Sequence, residues 1–158
     1  MFNGIIYNQG VIKSKTKNKN SLYLKIETNL NFNNKDIGTS ISCNGVCLTL
    51  TKILKKNIFF YLSKETLDKS NFKFIKTGDK INIEKSMRYG QEISGNYTQG
   101  HVDTTGRVVK IIVLDKTWKI SIQYPSKFKK YLIEKASINI NGVSLTISKI
   151  NKKSFELD

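Results

Sequence analysis

Apolar and polar residues alternate along this chain, or gather in short apolar runs, with a period close to two. Ser21-Leu22-Tyr23-Leu24-Lys25-Ile26, Asn57-Ile58-Phe59-Phe60-Tyr61-Leu62 and Lys80-Ile81-Asn82-Ile83-Glu84 are typical, and such runs predict strands with one face buried. Turn residues separate them at Asn33-Asn34, Asn44-Gly45, Gly78-Asp79, Gly95-Asn96, Thr105-Gly106 and Asn141-Gly142. Helical spacing shows only around Ser126 to Tyr131, just after Pro125. Many short strands at this spacing predict an all-β chain built as a small barrel or sandwich.

A repeat organises the strands. Asn44-Gly45-Val46-Cys47-Leu48-Thr49-Leu50-Thr51 recurs 97 residues on (44 to 141) as Asn141-Gly142-Val143-Ser144-Leu145-Thr146-Ile147-Ser148, with five of eight positions identical. Gly4-Ile5-Ile6 and Gly10 align with Gly100-His101-Val102 and Gly106 at an offset of 96. Two related β units follow, 1–96 and 97–158, and a period seen only twice at this length predicts paired barrels rather than a solenoid. The first unit runs on through Tyr61-Leu62-Ser63-Lys64-Glu65-Thr66 to a closing strand at Lys80–Glu84, whose counterpart would fall past Asp158. The second barrel is therefore expected to be incomplete at its C-terminus, with strand edges left open.

Composition adjusts this picture little. With 39% apolar residues among 158 the chain can form a core. It has no apolar run of membrane-spanning length and no signal-like start, so a soluble, cytoplasmic protein without membrane partners is expected. Cys43 and Cys47 are the two cysteines and His101 the one histidine, too few for a four-ligand zinc site, so no metal is expected. A net charge of +15 raises nucleic-acid binding. However, only Arg88 and Arg107 are arginines, and the 25 lysines accompany 16 Asn and 21 Ile, as AT-rich codons would produce. Lys13, Lys15, Lys17 and Lys19 read as a solvated hairpin loop. The aromatics are expected mostly on apolar faces, so no nucleic-acid partner is expected, and a basic barrel binding single strands is the remote alternative.

The ordered motifs resemble the alpha-type riboflavin synthases and their non-catalytic relatives, the lumazine proteins. They are Met1-Phe2-Asn3-Gly4-Ile5-Ile6, Asn44-Gly45-Val46-Cys47-Leu48-Thr49, Lys64-Glu65-Thr66-Leu67 with Ser70-Asn71, Gly78-Asp79 with Asn82-Ile83-Glu84, Gly100-His101-Val102-Asp103, and the second Asn-Gly-Val-Ser-Leu-Thr. The resemblance implies two tandem Greek-key barrels of six strands, and a homotrimer where a C-terminal helix is present. It also implies a cofactor-free dismutation of two 6,7-dimethyl-8-ribityllumazine molecules. One gives a four-carbon unit to the other, yielding riboflavin and 5-amino-6-(D-ribitylamino)uracil. Such a reaction needs two planar substrates held face to face, and proximity of that kind contributes roughly 7 to 11 kcal/mol. A non-catalytic lumazine- or flavin-binding protein of the same fold is the alternative.

By the same resemblance Cys47, Ser144, His101 and Ser40 are the catalytic candidates. Ser144 is a hydroxyl that could donate to, or add at, the donor's C7, and His101 carries the side-chain type that titrates near neutrality. Substrate contacts are implied for Gly4, Ile5, Ile6, Cys47, Leu48, Thr49, Tyr61, Leu62, Ser63, Lys64, Glu65, Thr66, Gly100, His101, Val102, Lys135, Ser144, Leu145 and Thr146. Gly4–Ile6 and Tyr61–Thr66 are expected to wall one pocket together with Cys47. Asn141 stands where many family members carry Asp.

Overall fold

A computed structural model describes residues 1–158. The first unit is a closed barrel of six strands, β1 (Asn8–Asn18), β2 (Ser21–Thr28), β3 (Ser40–Cys43), β4 (Val46–Leu54), β5 (Asn57–Leu62) and β6 (Lys80–Lys85), with a short helix α1 (Lys64–Lys69) before the last. Around the barrel the strands run β1-β2-β5-β4-β3-β6, the Greek-key order, and every pairing is antiparallel. The second unit repeats that order through β7 (Arg107–Leu114), β8 (Thr117–Gln123), β9 (Ser137–Ile140), β10 (Val143–Ile150) and β11 (Ser154–Leu157). It forms an open five-stranded sheet, β7-β8-β11-β10-β9. Its two edges are the twins of β1 and β3, the strands that β6 joins in the barrel.

The duplication extends to local backbone geometry. Asn44-Gly45 and Asn141-Gly142 turn β3 into β4 and β9 into β10 with positive φ at both residues, 46° and 80° in one turn, 49° and 85° in the other. Asn-Gly is the pair that tolerates this conformation, and its twist suits a two-residue hairpin. Register shifts recur at matching places, Ile12/Ser14 with Val108/Lys110 and Leu50/Lys52 with Ile147/Lys149. Each bulge sharpens the bend a small barrel needs.

Closure decides how much of the apolar pattern becomes core. In the barrel, alternate residues of all six strands, together with the capping Phe72 and Ile75 from the segment after α1, meet in a cluster of 16 buried side chains. In the second unit the buried cluster comprises five, Ile122, Tyr124, Ile147, Phe155 and Leu157. The brief helical signal forms a 3₁₀ turn over Ser126–Tyr131.

Two expectations are corrected. Lys13, Lys15 and Lys17 lie in β1, where only Lys19 belongs to the turn. Pairing with β2 continues as far as Asn18 opposite Ser21, so alternating lysines there are a strand with a solvated edge. Nor do the aromatics mostly lie on buried faces. Tyr7, Tyr23, Phe74, Tyr97, Trp118 and Tyr131 are among those exposed, because loops, the outward face of the barrel and the open sheet carry them.

Candidate functional site

The repeated hairpins meet. At Gly45 an added Cβ would stand 2.7 Å from the backbone nitrogen of Gly142, and at Gly142 it would stand 2.9 Å from that of Gly45. Only glycine permits so close a backbone approach together with a positive φ. Nearby, Phe2 and Thr98, themselves 96 apart (2 to 98), exchange both backbone hydrogen bonds at 2.8 and 3.0 Å. These pairs lie where a pseudo-twofold axis would relate the two units.

Around that axis the opening segments are exchanged. The Cys47 amide in the first unit donates to the carbonyl of Gly100 at 2.8 Å, and the Ser144 amide in the second donates to the carbonyl of Gly4 at 2.8 Å. The fit is tight in both places. A Cβ on Gly4 would lie 2.8 Å from Cys47's twin atom, the Cβ of Ser144, and a Cβ on Gly100 would lie 2.8 Å from the Cβ of Cys47. Gly4-Ile5-Ile6 therefore wall the second hairpin, while Gly100-His101-Val102 wall the first, with Val102 packed on the barrel core.

This corrects the expected grouping, which put Gly4–Ile6 beside Cys47 and Tyr61–Thr66. The first constellation instead gathers Cys47 and Thr49 on β4, Ser40 paired with Thr49 across β3, and Gly100–Val102. Leu48 points into the core, as strand alternation requires. Tyr61–Thr66 lie at the β5–α1 corner of the same barrel. Leu62 is buried and Tyr61 exposed, and Ser63 caps α1 by accepting from the Thr66 amide at 3.3 Å. Lys64 and Glu65 are held in helix pairs with Asp68 and Lys69. The second constellation gathers Ser144, Leu145 and Thr146 on β10 against Asn139, Ile138 and Ser137 of β9. Lys135 is exposed at the turn before β9, with φ 67°, and its amide donates to Ile147.

Electrostatics separates the two cysteines and singles out one carboxylate. Cys43 is fully buried, and that burial, helped by the neighbouring Cys47, pushes its thiol far above the ordinary value. Cys47 is partly exposed. Glu84 of β6 accepts from the Asn3 amide at 2.6 Å and the Gly4 amide at 3.0 Å. Burial raises its carboxyl's pKa, against the lowering effect of those two amides and of the Met1 ammonium. Glu84 thus grips the segment whose next carbonyl receives Ser144. The sequence carried it only as part of a motif, because a carboxylate's reach to a segment 80 residues away leaves no periodic signal. Asn139 was missed for the same reason: its side chain accepts from Gly142 at 3.0 Å and reaches Thr98 at 3.4 Å. Asn141, in place of the usual Asp, meets Asn71 and Asn82 of the first unit.

A cavity of about 1010 Å³ opens beside these hairpins, lined by His101, Val108, Tyr124, Ile138 and Phe155 among others. It lies between the uncovered interior of the second unit and Asn44–Val46, Ser70 and Asn71 of the first, and touches neither Cys47 nor Ser144.

The sequence profile of the Lumazine binding domain matches residues 3–86 and 99–158. The riboflavin synthase of Photobacterium leiognathi is 35% identical over 158 residues, 99% of this chain and 72% of that protein. The chain belongs to the lumazine-binding riboflavin synthase family. Another family member, the riboflavin synthase of Buchnera aphidicola subsp. Schizaphis graminum, is 35% identical over 98% of this chain and 76% of its own length. The same fold is seen in LumP complexed with riboflavin, at a TM-score of 0.86 and 24% identity, covering 99% of this chain and 85% of that one. LumP complexed with 6,7-dimethyl-8-(1'-D-ribityl) lumazine superposes at 0.82 with 25% identity, over 99% and 84%.

Proposed function

We propose that this chain is a riboflavin synthase, joining two molecules of 6,7-dimethyl-8-ribityllumazine by transfer of a four-carbon unit. The observation that carries the reading is the reciprocal exchange. Cys47 and Ser144 occupy the same place on twin hairpins, each faced by the opening segment of the other unit. Two equivalent berths suit a reaction whose two substrates are identical, and residues 1–96 and 97–158 supply one hairpin each.

In this reading the lumazine ring supplies its own acidity, since the anion left at the C7 methyl is delocalised into the ring. The protein's task is placement and proton handling. Cys47, Ser40 and Thr49 face one ring, and Ser144 and Thr146 face the other, with the Ser144 hydroxyl directed to C7 of the donor. His101, carried beside Cys47 by Gly100, accepts the methyl proton. Lys135 offsets negative charge on the second ring or its ribityl chain, and Tyr61–Thr66 close the corner of the first berth. The assembly belonging to this reading is a cytosolic homotrimer, in which the first barrel of one copy meets the second unit of another. No helix of the chain is long and apolar enough to cross a membrane.

Incubating the purified chain with the lumazine should produce riboflavin, followed by its fluorescence and by chromatography of both products. Exchanging His101 for Gln or Ser144 for Ala should slow turnover more than it weakens lumazine binding. Tight lumazine binding with no riboflavin formed, and indifferent to Ser144→Ala, would replace the enzyme by a binding protein.

A further inference from the structure

Strand alternation decides where Glu84 stands. Ile81 and Ile83 of β6 turn into the barrel core, so Glu84 lies on the outward face. The pairing of β6 with β1 ends at Ile83 opposite Asn8, and the opening residues, which precede that pair, meet Glu84 by another route. Two successive backbone amides converge on its one side chain. Asn3 N–H donates to Oε1 at 2.6 Å and Gly4 N–H to Oε2 at 3.0 Å. A carboxylate has an oxygen for each donor, whereas a glutamine would offer one oxygen and set its own N–H groups against the second amide.

Gly4 carries this grip into the other unit. Its carbonyl accepts from the Ser144 amide at 2.8 Å. Its α-carbon fits so closely that an added Cβ would lie 2.8 Å from the Ser144 Cβ and 2.9 Å from the Ser144 nitrogen. The amide that Glu84 holds and the carbonyl that holds Ser144 thus belong to one residue, fixed at φ 72°. The same segment is tied from the side, because the Asn3 carbonyl accepts from Asn96 at 2.9 Å and Phe2 exchanges backbone bonds with Thr98.

We propose that Glu84 is a positioning residue for Ser144, setting the place of its hydroxyl through Gly4 although the two residues lie in different units. The inference rests on the reading that Ser144 serves the donor lumazine. It concerns one berth of the two. Cys47 takes its place from the Gly100 carbonyl, while the hydrogen bonds of Glu84 go to Asn3 and Gly4. A reaction that depends on holding two rings in register magnifies such a part, since a displacement of about 1 Å can cost roughly 100-fold in rate.

Glu84→Gln, which keeps the shape of the side chain, should lower kcat by up to about 100-fold while the KM for lumazine moves little. A residue that only stapled the opening segment for stability would leave the kcat of the folded protein intact. In Glu84→Gln/Ser144→Ala the loss should be no greater than in Ser144→Ala alone, as for residues that act as a unit. In Glu84→Gln/Cys47→Ser the two losses should instead combine independently. Amide hydrogen exchange reads the same coupling without turnover. The Ser144 amide should exchange faster in Glu84→Gln, and the Cys47 amide should keep the rate of the parent. Should that variant fold poorly, Glu84→Asp, which retains both acceptors one methylene short, should give a milder form of the same pattern. If the parent forms no riboflavin, the enzyme reading falls and the contrast in exchange between Ser144 and Cys47 alone decides this proposal. An unchanged kcat in an active parent, independent losses for Glu84→Gln and Ser144→Ala, or equal exchange behaviour at Ser144 and Cys47 would overturn it.

Discussion

The barrel and the open sheet share turns, bulges and strand order, yet their interiors are unlike. Sixteen buried apolar side chains converge in the first and five in the second, although both halves begin from the same hairpin signature. Local sequence has written the same local structure twice. What differs is the strand and capping segment that convert a bent sheet into an enclosed core, which in the barrel bring in Phe72, Ile75, Ile81 and Ile83. Turn chemistry and register are properties of a few neighbouring residues, whereas a core belongs to the closed circuit.

The sharpest test of this comparison uses twin core positions. Leu50 and Ile147 (50 + 97) are both nearly fully buried. Leu50→Ala should cost about 2 to 5 kcal/mol, as large-to-small changes do in cores that cannot collapse. Ile147→Ala should cost less than half of that, because an uncovered core relaxes around the gap. Urea unfolding of the two variants measures the ratio, and equal losses would mean that the open sheet is as firmly packed as the barrel.

A smaller effect is expected at the contact between hairpins. Gly45→Ala places an ordinary residue at φ 80° and drives its Cβ into the Gly142 backbone, while Gly38→Ala, at φ 88°, meets nothing within 4 Å. The second change should cost about 1 to 2 kcal/mol from the left-handed conformation alone, and the first should exceed it by the cost of separating the two units. If the two variants unfold alike, the hairpin contact contributes nothing to stability.

The smallest effect should come from Glu84, which has no counterpart among residues 97–158. Burial raises its folded pKa above the unfolded value, so the protonated form is favoured in the fold. The associated stability is full below the unfolded pKa and is lost as pH rises through the folded one. Glu84→Gln should flatten the decline of the urea midpoint across that window, just above the ordinary carboxylate range. An unchanged slope would remove the Asn3–Gly4 clamp as a difference between the halves.

Much of this was legible beforehand, and for physical reasons. Alternation marks strands because side chains change face at every residue, Asn-Gly marks the hairpins because few residues accept positive φ, and the repeat exposes the twin architecture. The exchanged opening segments were not legible. Gly4 and Cys47 lie in the same half, and nothing local to either tells that Gly4 meets Ser144 while Gly100 meets Cys47. Lys13–Lys17 looked like a loop because charge and alternation give the same pattern for a solvated turn and a solvated strand edge. The site residues proposed for each lumazine rest on the family motifs, and the structure's contribution is to sort them into two constellations.

The exchange also has a genetic side. Each half has built the other's first residues into its own wall, so the two cannot diverge freely after duplication. A recombination that replaced residues 1–96 by a distant relative's would import a new Gly4 segment for an old Ser144, and strand the old Gly100 segment against a new Cys47 hairpin. Substitutions at these four positions should be inherited in crossed pairs, Gly4 with Ser144 and Gly100 with Cys47, rather than along the chain.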